Sequence, residues 1–235
     1  MDAMERLDRQ MRFVSGIGEL KGVLRQTVLA GIGRPENSAE HSWHLAMMAL
    51  ALAEHAPAGT DISRVVAMVL MHDLVEIDAG DLFLYASEEQ QRQQEIAERA
   101  AADRIFGLLP SDQAARFRTL WDEFNARQSA DARFARAIDR LQPMLENLAV
   151  GGGTWQRHGI TADQVLAKVA LIEDGSATLG QMARRLVLDA VAAGILAPAR
   201  DPGPAGSDPG AAAESVREEQ QLGDGDQADR DHDQP

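Results

Sequence analysis

The chain has 235 residues, no cysteine and a formal net charge of −14, and it is long enough for one sizeable domain with its own core. The missing cysteines exclude disulfides and thiolate metal sites, and the acidic surplus argues against polymeric nucleic acid as a partner, because such binding needs many basic contacts. No apolar run reaches the length of a membrane span and the first ten residues lack the apolar region of a signal peptide, so we expect a cytoplasmic protein that contacts no membrane.

Residues 1–199 are predicted to be helical throughout and to form one domain. Apolar residues recur at spacings of three and four, and breaks rich in glycine or proline separate the runs. No segment combines sustained alternation of apolar and polar residues with hairpin turns. We therefore expect an all-α fold, a single bundle of about eight helices with long helices near 87–108 and 161–173. The tryptophans are expected to be core anchors rather than stacking platforms: Trp43, Trp121 and Trp155.

A helix is predicted to begin just before His41. Asn37 is followed three residues later by Glu40, which is typical of a capping box, and a strongly apolar segment follows. His41 therefore falls in the first turn of that helix. For Arg34, which lies just upstream, two interpretations are equally open: contact with a phosphate, or an ion pair with Glu36 or Glu40.

The pair His72 and Asp73 follows the apolar run 64–71, and Glu76 lies one helical turn further on. Neutral imidazole and carboxylate are standard ligands of divalent cations. An unpaired carboxylate buried beside a histidine is costly, and a metal is one partner that removes the cost. Glu76 shares one side of the helix with both residues because of its spacing. Taken alone, the pair fits a core histidine bonded to a neighbouring carboxylate equally well.

Further along the chain, Asp139 stands among apolar helix formers in the segment 135–141. The Gly151–Gly153 run is interpreted as a loop, because it lacks both a preceding strand and the lysine and hydroxyl residues of a phosphate-binding motif.

From residue 200 onward the composition changes. Residues 200–235 hold ten acidic and three basic residues, and so carry −7 of the net charge of −14. Such a segment cannot bury enough apolar surface to offset its ordering entropy, so we predict a disordered acidic tail over 200–235.

The order of these candidate groups resembles that of the HD-domain metal-dependent phosphohydrolases. Residues 34–42, which read RPENSAEHS, and residues 72–81, which read HDLVEIDAGD, are similar to the motifs of the 5′-deoxynucleotidase branch of that superfamily. The resemblance covers roughly residues 10–195, and these motifs are far more specific than the His-Asp pair alone.

The resemblance implies a role for each matching residue. It makes the two histidines and two aspartates the ligands of one divalent cation: His41, His72, Asp73 and Asp139. It places Glu76 and Asp81 around the attacked phosphate as acid–base residues. Arg25 lies near the position at which the family has a phosphate-contacting arginine, and is the candidate substrate-binding residue. Relatives also carry an aromatic residue shortly after that arginine and a second basic residue before the R-x-E motif. Residues 26–33 contain neither, which leaves sugar and base selectivity open.

The implied function is metal-dependent release of phosphate from deoxyribo- or ribonucleoside 5′-monophosphates. Oxygen and nitrogen ligands accept Mn²⁺, Co²⁺, Fe²⁺, Zn²⁺ or Mg²⁺ as the cation. The alternatives are an HD-type hydrolase of another nucleotide or phosphoester, a dinuclear iron oxygenase, and a non-catalytic helical regulatory module that retains the site. The expected partner is a small-molecule nucleotide, and a homodimer is left open.

Overall fold

Helices dominate the protein, as the helical spacing of its apolar residues predicts. The computed structural model describes residues 1–200, so the tail predicted over 200–235 lies outside the described residues apart from Arg200. The helices in this range are α1 (Ala3–Gly16), α2 (Ser38–Ala51), α3 (Ile62–Met71), α4 (Glu76–Ala79), α5 (Glu88–Phe106), α6 (Ser111–Ala126), α7 (Ala130–Ala149), α8 (Gly153–Arg157), α9 (Ala162–Gly175) and α10 (Ala177–Ala192). The all-α prediction is confirmed. Both α4 and α8 are about one turn long, and the remaining helices match the expected number of about eight.

A small sheet departs from the helical prediction. β1 (Leu24–Val28) pairs antiparallel with β2 (Pro35–Asn37). The turn between the strands passes through Gly31 and Gly33, whose positive φ angles favour glycine. Strands of five and three residues are too short for alternation to stand out in the sequence. The sheet carries Arg25 and leads directly into α2.

The main core lies between α2, α3, α7, α9 and α10, and it contains Leu45, Met68 and Phe134. A second cluster joins α1, α5 and α6 around residues such as Ile105 and Phe106. The end of α3 passes from the first cluster to the second. The segment that follows it therefore lies where the two clusters meet, which is where the candidate His-Asp pair stands. None of the helices within residues 1–200 is long and apolar enough to cross a bilayer.

One outward face of α2 is apolar. Trp43 is 63% exposed, and Met47 and Leu50 on the same face are also exposed. The prediction of a core tryptophan is therefore wrong for Trp43, although Trp121 and Trp155 are buried as expected. Because α2 also has an apolar inward face, helical spacing alone could not tell which of the two faces the core.

Candidate metal centre

The start of α2 is fixed by the capping box that the sequence predicts. The backbone N–H of Asn37 donates to the Glu40 carboxylate at 3.1 Å, and the backbone N–H of Glu40 donates to Asn37 Oδ1 at 3.0 Å. This sets His41 in the first turn. Glu40 also accepts two hydrogen bonds from Arg34, at 2.5 and 2.9 Å, so Arg34 pairs with Glu40, whereas Glu36 is buried.

The candidate His-Asp pair lies on a tight turn at the end of a helix. α3 ends one residue before it, and a 3₁₀ turn covers residues 72–75. His72 Nδ1 lies 2.8 Å from the carbonyl oxygen of Val69 and donates to it, so Nε2 is the ring nitrogen that faces the buried carboxylates. Trp121 Nε1 donates to the His72 carbonyl at 3.2 Å and holds the turn from the other side.

The four predicted ligands converge in one buried cluster. His41, His72 and Asp73 each place one ligand atom within 4.8 Å of the others. Asp139 Oδ1 lies 3.1 Å from His41 Nε2 and 3.7 Å from His72 Nε2. His72 Nε2 lies 2.9 Å from Asp73 Oδ1 but has no hydrogen-bond partner of acceptable geometry within the described residues. An orphaned imidazole nitrogen facing buried carboxylates is a donor set that fits a divalent cation.

The pKa values of the two histidines move in opposite directions. Burial, reinforced by the charge of Arg25, lowers the pKa of His41 to about 4. Burial also opposes protonation of His72, but the carboxylates of Asp73 and Asp139 outweigh it and raise the pKa of His72 to about 10. A proton on His72 thus balances two buried carboxylates, and a bound cation would take over this role.

A buried chain of side chains orients His41, and sequence reasoning missed most of it. His41 Nδ1 lies 3.0 Å from Gln142 Oε1, and Gln142 Nε2 donates to Glu36 Oε1 at 2.8 Å. Because the Gln142 amide group donates to Glu36, its oxygen faces His41, and Nδ1 carries the proton while Nε2 faces the centre. Burial raises the pKa of Glu36 to about 7. One feature of the sequence could have indicated this role: Gln142 follows Asp139 by three residues, so both side chains lie on the same face of α7.

The predicted acid–base residues and the predicted arginine lie beside the ligands. Ser38 Oγ donates to Glu76 Oε2 at 2.6 Å. Arg25 Nη1 lies 3.2 Å from Asp73 Oδ2 and 3.3 Å from Asp81 Oδ1. Burial and the Asp73 carboxylate raise the pKa of Glu76 well above its usual value, and burial also raises the pKa of Asp81. Carboxyl groups with raised pKa values are suited to proton transfer near neutral pH.

The cluster opens onto a cavity of about 630 Å³, which is large enough for a nucleotide. Aromatic rings of Phe83, Tyr85 and Trp155 form part of its wall. Four cationic side chains also line this cavity: Arg127, Arg136, Arg140 and Lys168. The sequence analysis did not predict them. Two of these flank Asp139 in sequence, which was the only signal of their presence.

Comparison with known proteins places this chain in a family. The family model described as HD domain matches residues 17–179. The chain is 28% identical over 137 residues to human 5′-deoxynucleotidase HDDC2, a match that covers 58% of this chain and 65% of the human protein. It is 26% identical over 152 residues to 5′-deoxynucleotidase YfbR from Escherichia coli O127:H6, covering 61% of this chain and 76% of that protein. The match with the human relative thus spans slightly less than two thirds of that protein.

Solved structures agree with this assignment. A crystal structure of a predicted metal-dependent phosphohydrolase from Magnetospirillum magnetotacticum is 53% identical, with a TM-score of 0.79 over 82% of this chain and 96% of that one. An HD-domain phosphohydrolase from Listeria innocua, at 17% identity and a TM-score of 0.58, shares the fold over 77% of this chain and 89% of that one. The family model covers well over half of the residues, and the chain therefore belongs to the HD domain family.

Proposed function

We propose that this protein is a metal-dependent phosphohydrolase that releases phosphate from nucleoside 5′-monophosphates. The observation that carries the proposal is the convergence of two histidines and two aspartates beside a cavity large enough for a nucleotide. The names of the human and E. coli relatives, both 5′-deoxynucleotidases, support the same substrate class.

The residues that would hold one divalent cation are His41, His72, Asp73 and Asp139. When bound, such a cation lowers the pKa of a coordinated water and offsets negative charge on the phosphoryl group. The donors are nitrogen and oxygen only, which admits Mn²⁺, Co²⁺, Fe²⁺, Zn²⁺ or Mg²⁺.

Three further side chains would perform the remaining steps. Arg25, which is largely buried and close to Asp73 and Asp81, would bind a phosphate oxygen. Glu76 and Asp81 would divide the proton transfers, one taking a proton from the attacking water and the other supplying a proton to the leaving 5′-oxygen. The new bond joins the water oxygen to phosphorus, and the bond between phosphorus and the 5′-oxygen breaks.

Sugar selectivity is expected to be weak. Relatives of this type carry an aromatic residue shortly after the arginine, whereas here Gln26 and Thr27 follow Arg25 and line the cavity. A hydrophobic wall rejects one extra hydroxyl by only about 100-fold even when it is present. We therefore expect a preference for dAMP over AMP that is smaller than this and little discrimination among bases, measured as ratios of kcat/KM.

The deciding experiment is a phosphate-release assay. The purified full chain would be assayed with deoxyribo- and ribonucleoside 5′-monophosphates in the presence of each of the five cations, with the Asp73→Asn protein as the control. We expect metal-dependent release of one phosphate per nucleotide, lost in the variant. Absence of release from every monophosphate with every cation would refute the proposal.

A further inference from the structure

Part of the cavity wall is basic, although the chain carries a net charge of −14. The groups come from three helices, and we call them the basic cluster: Arg127 at the end of α6, Arg136 and Arg140 on α7, and Lys168 on α9. Lys168 is one of only two lysines in the chain.

These cations have few anionic partners. Arg136 Nη1 lies 3.3 Å and Arg140 Nη1 lies 3.8 Å from the same oxygen of Asp139. The Nε atoms of both arginines are buried without a hydrogen-bond partner among the described residues. Within residues 1–200, neither Arg127 nor Lys168 forms an ion pair, and the Lys168 ammonium lies 5.9 Å above the ring of Tyr85.

The cations of the cluster lie close enough to repel one another. Burial and the charges of the three arginines lower the pKa of Lys168, and burial and Arg140 lower the pKa of Arg127. Glu95 and Glu98 of α5 line the same cavity, and their charges act on Arg127 and Arg136 respectively. No ion pair joins either glutamate to the cluster within the described part of the chain. Asp139 is the carboxylate that pairs with Arg136 and Arg140, and it is also a proposed metal ligand. A bound cation would share its negative charge and leave the two arginines with less compensation.

We propose that the basic cluster is a second anion-binding subsite that takes a second phosphoryl group of the substrate. The inference rests on the proposed function for the first phosphoryl group, which the metal centre would hold. Buried guanidinium groups with unused N–H donors are suited to phosphate oxygens, and four gathered cations need an anion of more than one charge to balance them.

The substrate class is therefore a phosphoester with two phosphoryl groups. The second group can stand on another hydroxyl of the sugar, as in a nucleoside 3′,5′-bisphosphate, or adjoin the first, as in a nucleoside 5′-diphosphate. In both cases water adds to the phosphorus at the metal centre and the bond to its leaving oxygen breaks. That oxygen is the 5′-oxygen of a bisphosphate or the bridging oxygen of a diphosphate, and it takes up a proton.

The first test measures binding without turnover. Calorimetry on the manganese-loaded full chain would compare inorganic phosphate with methylenebisphosphonate, which carries two phosphoryl groups and cannot be hydrolysed at its P–C–P bridge. The double variant Arg127→Gln/Lys168→Gln removes two cations that do not touch a proposed ligand. Lys21→Gln, which changes the other lysine at an exposed position, is the matched control. The bisphosphonate chelates the metal equally in the unmodified chain, the double variant and the control. A difference in affinity among these three proteins therefore reports the contribution of the basic cluster.

We expect the double variant to lose about tenfold or more of the preference for bisphosphonate over phosphate, while the control keeps it. Metal content, measured in parallel, should equal that of the unmodified chain. If the double variant folds poorly, Lys168→Gln alone should show a smaller loss in the same direction. A preference equal to that of the unmodified chain in these variants would overturn the proposal.

The second test identifies the source of the second phosphoryl group. The ratio of kcat/KM for deoxyadenosine 3′,5′-bisphosphate, and separately for dADP, to that for dAMP should exceed one for at least one of the two substrates and fall in the double variant. Ratios at or below one for both would contradict the proposal. A chain that hydrolyses no phosphoester but shows the binding loss would refute the proposed function and keep the subsite. If the chain hydrolyses monophosphates and the double variant keeps its preference for bisphosphonate, the proposed function stands and the second subsite is refuted.

Discussion

Asp73 and Asp139 each lie close to a different arginine at the centre. Asp73 lies 3.2 Å from Arg25 of β1, whereas Asp139 lies 3.3 Å from Arg136 of α7. Although burial opposes ionisation, the charges of His72 and Arg25 hold the pKa of Asp73 at about 2. Burial also opposes ionisation of Asp139, but Arg140 and the two histidines hold its pKa well below the usual value. Both carboxylates are therefore ionised and available as metal ligands.

Loss of one proposed ligand should abolish the site. In Asp73→Asn or His72→Ala we expect metal affinity to fall by more than the roughly 10- to 100-fold that an outer partner contributes, and turnover to be lost with it. Metal analysis after dialysis and the phosphate-release assay would check this. Asp131→Asn is the control, because Asp131 is a buried acid on α7 that pairs with Arg64, away from the centre. Full metal content and normal turnover in Asp73→Asn would refute the ligand assignment.

Glu76→Gln should separate metal binding from proton transfer. The amide keeps the shape of the side chain and can still accept from Ser38, so we expect the metal to stay while kcat falls by about 100-fold or more. Asp78→Asn, two residues along α4 and paired with the exposed Arg104, should retain turnover. An unchanged kcat in Glu76→Gln would remove Glu76 from the reaction.

Gln142→Leu should weaken the metal centre without touching the metal itself. It removes the acceptor that fixes the His41 tautomer and leaves Glu36 buried without its donor. We expect metal affinity to fall by about 10- to 100-fold. Asn147→Ala on the same helix, which breaks hydrogen bonds to Thr154 only, separates this effect from general loss of stability. Equal metal affinities in the two variants would show that Gln142 does not position His41.

At the scale of elements, the start of α2 couples the sheet to the site. Within a few residues it carries the N cap Asn37, then Ser38, which binds Glu76, and then His41. β2 ends at Asn37, so the same residue closes the sheet and opens the helix. A local change here is therefore transmitted to both a proposed ligand and a proposed acid–base residue.

Asn37→Ala should cost both stability and function. Loss of an N cap typically destabilises by about 1 kcal/mol, and displacement of the first turn would also move His41. We expect lower metal affinity together with a lower free energy of unfolding, from denaturant titration. Ser87→Ala removes the comparable capping box of α5, far along the chain from the ligands. It should lose similar stability and keep metal affinity, and equal losses of metal affinity in the two variants would contradict this coupling.

At the scale of the whole molecule, the described contacts of the bundle continue almost to residue 200. Leu196 is buried in the main core, and the backbone N–H of Ala162 donates to the carbonyl of Ala197 at 2.9 Å. These contacts tie the segment after α10 to the start of α9. The composition predicts no comparable burial beyond them.

Truncation after Pro198 should therefore leave the melting temperature within about 2 °C and phosphate release unchanged. Truncation after Gly194, which removes Leu196 and the bond to Ala162, should lower the melting temperature by about 4 °C or more. Calorimetry on the two shortened chains tests both statements. A drop of several degrees in the longer of them would mean that residues after Pro198 stabilise the bundle.

The sequence by itself determined the helical class, and it predicted the motif residues of the centre. Helical spacing predicts long helices, because a buried helix must repeat its apolar residues every three to four positions. His72, Asp73 and Glu76 could be grouped because they are neighbours in the chain. The resemblance to a family, and not their spacing, assigned roles in the centre to four further residues: His41, Asp139, Asp81 and Arg25.

Only the tertiary structure decided what lies between those residues. Gln142 lies 101 positions from His41, and no local pattern reveals that their side chains meet. The basic cluster was not predicted for the same reason, because its members come together only when α6, α7 and α9 pack. The exposed face of α2 shows the converse error: Trp43 and Leu45 both fit helical spacing, and burial depends on which neighbouring helices cover which face. Contacts between distant segments depend on the packing of whole elements, which helical periodicity does not encode.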